Sequence, residues 1–319
     1  MEIIVLGTSA GTPTRQRNMS GLALRLRGAK QWVLIDCAEG TQHRILRTPL
    51  SVMSLRAVFI THLHGDHCYG LPGLLASAGM LNRSGRLFVV GPAPLRSYLQ
   101  GVLDTTELGL PYPIEFVDVA LLDGADPLPD FQVRATPLSH RIPSFAYSFT
   151  ERTVERKLDT DKLKAAGIAP GETWGRLQRG EDVALADGRV LRAGDFLLAP
   201  RKARRIIVGG DNDRPELLLE EAREAEVLVH EATYTEEVLR KVGPGPRHSS
   251  ARMTASAAAA AGVPNLVLTH FSPRYQDEGA LTIHTIEDEA RSCYDGNLFL
   301  ARDFDRYVLD RQGKLGIEG

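Results

Sequence analysis

The chain has 319 residues, 43% hydrophobic and 24% charged. That balance excludes a disordered chain and supplies a sizeable core, in one large domain or about two. A formal net charge of −2 excludes a uniformly basic nucleic-acid coat while leaving room for a local basic patch.

Three cysteines (Cys37, Cys68, Cys293) are widely spaced and form no CxxC. A disulfide framework is therefore not expected, and a reducing cytoplasm is. The opening run MEIIVLG lacks a basic lead and is too short for a signal segment. No apolar stretch reaches the roughly 18 residues of a membrane span, so no membrane partner is expected.

Short apolar runs of strand length recur along the chain. They are Ile3–Leu6, Trp32–Ile35, Ala57–Ile60, Leu87–Val90, Ile114–Val119, Phe131–Ala135, Ile206–Val208, Val227–Val229, Leu266–Leu268 and Leu298–Leu300. Many are apolar at every position, which predicts sheets covered on both faces. Helical stretches lie between them, among them Glu216–Ala225 and Ala251–Ala261. The second is almost all alanine, serine and methionine, so it can pack close to a neighbour, with Ser249 or Ser250 as its N-cap. Strands mixed with helices predict a layered α/β or α+β domain over residues 1–319.

From Glu151 to Ala199 the text turns polar and rich in turn signals, with nine basic residues matched by nine acidic ones. Too little apolar material is left, on this reading, for a core of its own. The segment reads as a surface excursion or as a projecting arm that touches a partner. Pro200–Arg205 (PRKARR) follows with four cations in six residues.

The densest chemistry is THLHGDH, Thr61 to His67, directly after the run Ala57–Ile60. A strand alternates its side chains, so it cannot gather His62, His64, Asp66 and His67 on one face. A tight turn helped by Gly65 can. Three further strand ends carry matching donors: His140, Asp211 and His270. Singly each is weak, but together they outnumber the four ligands of one tetrahedral zinc and suit two ions bridged by a carboxylate. The predicted division puts His62, His64 and His140 on one ion, Asp66, His67 and His270 on the other, and Asp211 between. Nitrogen and oxygen donors without thiolate favour two zinc ions (Zn2+) per subunit, with manganese (Mn2+) as a substitute. Cys68 reads as a small packed residue.

HxHxDH followed by distant His, Asp and His resembles the metallo-β-lactamase superfamily, which contains lactamases, thiolesterases, sulfatases, phosphodiesterases and nucleases, so the superfamily alone does not give a function. Further blocks narrow the resemblance to the ribonuclease Z family, endonucleases that trim the 3′ side of precursor tRNA. They are Gly7-Thr-Ser-Ala-Gly-Thr-Pro-Thr with Arg17-Asn18, Asp36-Cys-Ala-Glu-Gly-Thr-Gln42, Pro200-Arg-Lys-Ala, His230-Glu-Ala-Thr233, His248-Ser-Ser250 and Thr269-His-Phe-Ser-Pro-Arg-Tyr275. Ser250 stands where that family usually has Thr. The stretch Ala166 to Gly180 resembles the family's flexible tRNA-gripping arm, which places an exosite in 151–199.

The resemblance implies an αβ/βα four-layer sandwich with a protruding flexible arm, a homodimer, and removal of a 3′ trailer. The tRNA would keep a 3′-hydroxyl and the trailer a 5′-phosphate. It implies Asp66 as general base and His248 as proton donor to the leaving oxygen, with Glu231 holding the imidazole. Read from the residues alone, His248 equally caps a helix and Glu231 equally makes a buried hydrogen bond. Arg17, Asn18, Lys202 and Arg274 are candidates to touch RNA, as are the arm cations Lys162, Lys164, Arg176 and Arg179; each is equally a surface residue. His230 is expected to support the fold, and His43 and His284 to be bland helical positions. Two other readings stay open: a phosphodiesterase or arylsulfatase acting on small esters, and an RNA-binding protein with a structural metal.

Overall fold

The computed structural model describes residues 1–276 and 281–318. By contacts it divides into two compact units, residues 1–150 with 204–319, and residues 151–203.

The larger unit is built on two sheets. The first contains β1 (Glu2–Gly7), β2 (Gly21–Arg25), β3 (Trp32–Ile35), β4 (Leu55–Phe59), β5 (Leu87–Gly91) and β6 (Ile114–Asp118). The second holds β7 (Phe131–Leu138) and β8 (Ser144–Glu151), then β11 (Arg205–Val208), β12 (Val227–Glu231), β13 (Asn265–Thr269) and β14 (Asn297–Leu300). The last strands, β15 (Arg306–Leu309) and β16 (Leu315–Glu318), return to the first sheet. The strand orders are β16-β15-β1-β2-β3-β4-β5-β6 and β14-β13-β12-β11-β8-β7. All ten apolar runs are strands. The segment Glu216–Ala225 becomes a short 3-10 turn, Pro215–Leu218, followed by the helix Leu219–Ala222.

Alternation along the strands builds three apolar layers. Ile3, Val5, Ala57 and Phe59 point to the core between the sheets, where they meet Tyr147, Phe149, Ile206 and Val229. Ile4, Leu6, Val58 and Ile60 point the other way, against Leu71, Leu75 and Leu99 of the helices Leu71–Met80 and Pro94–Thr105. The second sheet's outer face packs on Ala251, Ala255 and Ala258 of the helix Ala251–Ala261 and on Ile286. The result is helix, sheet, sheet, helix, the expected four layers. Ser250 caps the alanine helix, its side chain accepting from the Met253 N–H.

Phe59 is fully buried, with its ring 5.1 Å from those of both Tyr147 and Phe149, edge to face. Phe59→Ala is expected to cost about 3–5 kcal/mol by opening a cavity between the sheets. A lowered urea midpoint of the metal-free protein, compared with wild type, checks this.

The smaller unit corrects the expectation that the polar segment has no core. Leu163, Ile168, Leu177, Val183, Leu191, Ala193 and Phe196 form a buried cluster. They come from the short helices Thr160–Ala165, Glu172–Gln178 and Ala193–Phe196 and from a hairpin of β9 (Val183–Ala184) and β10 (Val190–Leu191). The apolar residues are sparse in sequence, but the turns at Gly167, Gly180 and Gly188, each with positive φ, fold them onto one another. Among the described residues, no helix is long and apolar enough to cross a membrane.

Candidate metal centre

In both sheets the chemistry stands at the carboxyl ends of parallel strands. β3 to β6 are mutually parallel, as are β11 to β14. Ligands in open α/β sheets gather at such ends because loops there are free to diverge. Thr61 to Asp66 follow β4, Asp211 follows β11, Glu231 ends β12, and His270 follows β13. His140 follows the antiparallel strand β7. The tight turn expected at Gly65 is the start of a one-turn helix, Gly65–Cys68, with His64 just before it.

The two sheets are stitched together beside the donors. Phe145 N–H donates to the Thr61 carbonyl at 3.1 Å, and Gly210 N–H donates to the Phe145 carbonyl at 3.1 Å. A Cβ on Gly210 would lie 2.7 Å from both Ser144 Oγ and Thr61 Cβ, so only glycine lets the Asp211 loop come this close.

Two donor groups result. His62, His64, His140 and Asp211 form one, and Asp66, His67 and His270 the other; within each, the candidate ligand atoms lie within 4.8 Å of one another. Asp211 faces both. Its Oδ2 lies 3.5 Å from His62 Nε2 and 3.7 Å from His140 Nε2, while its Oδ1 lies 3.4 Å from both His67 Nε2 and His270 Nε2. A third group, Asp211, His248 and His270, overlaps these.

Proton bookkeeping fixes most of the imidazoles. Thr61 Oγ1 donates to Asp36 Oδ2 at 2.9 Å, so the Thr61 oxygen, 3.1 Å from His62 Nδ1, accepts that ring's proton. Thr233 Oγ1 donates to Glu231 and by the same logic accepts from His270 Nδ1 at 3.0 Å. His67 Nδ1 donates to Asp36 Oδ2 at 2.7 Å and His140 Nδ1 to the Arg247 carbonyl at 2.8 Å. In its neutral form each ring thus presents a bare Nε2 inward, the arrangement that outer partners impose on metal-binding histidines. His64 differs, offering Nδ1 at 3.1 Å from both His62 Nε2 and His140 Nε2.

The donor set fits divalent ions. Bare nitrogens about 3 Å apart repel unless a cation lies within about 2 Å of each. His67 Nε2 and His270 Nε2 are buried and have no hydrogen-bond partner, despite the carboxylates nearby. Burial pulls the His67 imidazole down, but Asp211, Asp36 and Asp66 outweigh it and hold the ring well above its ordinary value. Burial pushes Asp66 up, yet His67 and His270 hold it far below the usual carboxylate range. His62, His64 and His140 are lowered, burial being the largest cause for each.

Beside the donors stands a coupled pair. His248 Nδ1 lies 3.1 Å from Glu231 Oε1. Burial lowers the imidazole, but the charge and hydrogen bond of Glu231, with Asp211, raise it to about 9. Glu231 would be raised by burial, and His248 brings it down to about 2.

Residues 31–271 match the Beta-lactamase superfamily domain. A ribonuclease Z of Marinobacter nauticus is 53% identical over 317 residues, covering 99% of this chain and 98% of that protein. This chain belongs to the ribonuclease Z family. Another member, from Pseudomonas putida, is 49% identical over 318 residues, covering 99% of this chain and 98% of that protein. Two solved structures share the metallo-β-lactamase fold. The short form of human tRNase Z aligns with a TM-score of 0.64 and 24% identity, covering 97% of this chain and 100% of that one. The metallo-beta-lactamase fold protein YhfI of Bacillus subtilis aligns with a TM-score of 0.66 and 15% identity, covering 99% of each chain.

The ribonuclease Z chain places its other candidates less centrally. The Arg274 guanidinium lies 5.8 Å over the Tyr234 ring, which is 6.0 Å from the His248 ring. Arg17 donates to the Tyr275 carbonyl, and Asn18 Nδ2 donates to the Glu39 carbonyl at 3.1 Å, so both brace loops. Lys202 lies in the smaller unit. There, Arg176 and Arg179 both pair with Glu181, Lys162 donates to the Asp195 carbonyl at 2.6 Å, and Lys164 sits 3.8 Å from Asp161. His230 is buried among Asn212, Thr254 and the Glu231 carbonyl, while His43 and His284 are on helices.

Asp36 was missed as a site residue, although it too stands at a strand end, after β3. It accepts from Thr61 N at 2.8 Å as well as from the Thr61 hydroxyl and His67. Asp36, Arg247 and His270 all have positive φ, at 57°, 56° and 57°. Non-glycine residues adopt this region at a cost that packed functional sites sustain. Asp36→Ala is expected to weaken metal binding about 10- to 100-fold; titration of the apo-protein with zinc against a competing chelator checks it.

Proposed function

We infer that this chain is a metal-dependent endoribonuclease that removes the 3′ trailer from precursor tRNA. The cut leaves a 3′-hydroxyl on the tRNA and a 5′-phosphate on the trailer. The observation that carries the reading is the pair of His/Asp groups spanned by Asp211, with the His248–Glu231 pair beside them, in a ribonuclease Z chain.

His62, His64 and His140 would hold one ion and Asp66, His67 and His270 the other, with Asp211 between. Imidazole and carboxylate donors without thiolate favour two zinc ions per subunit, manganese being a substitute. Such ions supply Lewis-acid polarisation of a phosphate and a nucleophile at neutral pH.

The chain's own residues handle the protons. Asp66, fixed by the Gly11 N–H at 2.8 Å and kept ionised by His67 and His270, accepts the proton of the attacking water. His248 turns Nδ1 to Glu231, which leaves its Nε2–H for the departing ribose 3′-oxygen. Glu231 keeps that imidazole charged and oriented. Tyr234 lies beside His248 and has Arg274 over its ring, and Arg274 supplies positive charge toward the phosphate backbone.

The unit 151–203 is the exosite of this reading, a folded arm that grips the tRNA elbow through Lys162, Lys164, Arg176 and Arg179. Arg17, Asn18 and Lys202 are further RNA contacts of this reading. Each of the four arm cations already has an internal partner, so binding there exchanges one partner for phosphate and is salt-sensitive. The enzyme works as a homodimer in the cytoplasm, a setting that suits its three free cysteines.

Side-by-side assays of precursor tRNA and bis(p-nitrophenyl) phosphate test the reading. Efficient cleavage of the RNA supports it. Turnover of the small ester with none of the RNA would favour the small-ester phosphodiesterase.

A further inference from the structure

The HxHxDH turn has two neighbours that the reaction described above does not use. One is a cation: Arg141 brings Nη2 to 3.4 Å from His64 Nε2. The other is a ring. Tyr69 ends the one-turn helix Gly65–Cys68, and its side chain is 64% exposed. That exposure is not a side chain loose in water. The ring lies back over Gly65: a Cβ at that position would sit 2.3 Å from Tyr69 Cε2 and 2.6 Å from Cζ. Gly65 separates the two donors His64 and Asp66, so the ring is held against the lip of the metal centre. A second ring backs it, since Tyr98 of the helix Pro94–Thr105 stands 6.4 Å away at an interplanar angle of 33°. Tyr98 is only half-buried, and Leu63 beside the motif is likewise half-buried against the same core layer.

An aromatic face fixed at the rim of a phosphodiester-cleaving site, with a guanidinium nearby, matches the two parts of a nucleotide. The cation suits a phosphate, and the face suits an unstacked base. We propose that Tyr69, backed by Tyr98, is a stacking platform for one unpaired base next to the scissile phosphate. This inference rests on the endoribonuclease reading and deepens it. Such stacking holds a single strand without reading its sequence, because every base has a π-face. A packing role alone would not leave so large a part of Tyr69 open to solvent. Tyr69 is a positioning residue: it sets the nucleotide in place and touches no reacting atom.

The test pairs a protein change with a substrate change. Precursor tRNAs carry a single abasic nucleotide at each of the unpaired positions flanking the cut, one position per substrate. Single-turnover cleavage is measured with wild type, Tyr69→Ala and Tyr69→Trp. On the intact precursor, Tyr69→Ala is expected to lower kcat/KM about 5- to 100-fold, and Tyr69→Trp to restore it. At one position the abasic substrate slows wild type by a similar factor, and Tyr69→Ala adds no further loss there. Full multiplication of the two losses at every position would overturn the platform. So would a Tyr69→Ala loss that coincides with a changed sedimentation coefficient, since the ring would then belong to a subunit interface. Cleavage of the intact precursor by wild type with no dependence on Tyr69 sinks this inference alone. Failure of wild type to cut the precursor sinks the endoribonuclease reading and the inference with it.

Discussion

Replacing Asp211 with alanine is expected to strip metal from both donor groups and to lower precursor-tRNA cleavage by about 10³-fold or more. The expectation comes from its position between the groups. One carboxylate oxygen faces His62 and His140, and the other faces His67 and His270. Without it, five inward-facing imidazoles share the cavity with Asp66 as the remaining direct carboxylate. On the two-ion reading, the cations would then repel with little negative charge to offset them. Metal analysis of the purified variant by mass spectrometry reads the first effect and a cleavage assay the second. A variant that retains two ions per chain would show that Asp211 does not bridge. Asp211→Asn is the finer probe, because it keeps the shape and removes the charge.

The second large effect is at His248. His248→Ala is expected to lower single-turnover cleavage about 10²- to 10⁴-fold, the range of a lost general acid, while metal content stays normal. The pH dependence gives the sign. Burial acts to lower the imidazole, but Glu231 and Asp211 raise it to about 9. An acid must carry its proton, so wild-type cleavage should hold level up to that region and fall as pH rises through about 9. In Glu231→Gln the burial effect is no longer outweighed, and the alkaline limb should move to lower pH. The same shift contributes to folding stability in full below the ordinary value of 6.5, and that contribution is lost as pH rises through about 9. Unchanged single-turnover cleavage in His248→Ala would remove His248 from the reaction.

Much of this site was legible because its donors obey one rule, a polar residue just past a buried strand. His140, Asp211 and His270 each stand within three residues of a strand end, and the HxHxDH run follows another. What could not be read was the outer ring of partners. His67 meets Asp36 from 31 residues away and His140 meets Arg247 from 107 away, pairings that only the folded chain creates. Ser250 as a cap was readable from its place before an alanine-rich helix.

Gly21–Arg25 and the short hairpin strands escaped reading, and so did three strands that break the apolar pattern. Ser144–Glu151 alternates serine and threonine with aromatic residues, yet its serines are buried, and Ser148 is satisfied by Glu221 at 2.8 Å. Leu315–Glu318 is the edge strand of the first sheet, where charged residues belong, and Arg306–Leu309 lies next to it, between that edge and Glu2–Gly7. The polar segment misled in the opposite sense. Its few apolar residues are scattered through 53 residues, and glycine turns bring them together into a small core. Sparse apolar content in sequence is a statement about spacing, and turns can undo spacing.

The central claim is that this metal centre cuts precursor tRNA at a single bond with defined polarity. The most direct measurement is incubation of a precursor tRNA bearing a 3′ trailer with wild type and with Asp66→Ala, followed by mapping of both new ends. The account predicts one cut by wild type, a 3′-hydroxyl on the tRNA, a 5′-phosphate on the trailer, and loss of that cut in Asp66→Ala. An uncut precursor with metal-loaded wild type would contradict it, as would a 2′,3′-cyclic phosphate at the new tRNA end or undiminished cleavage by Asp66→Ala.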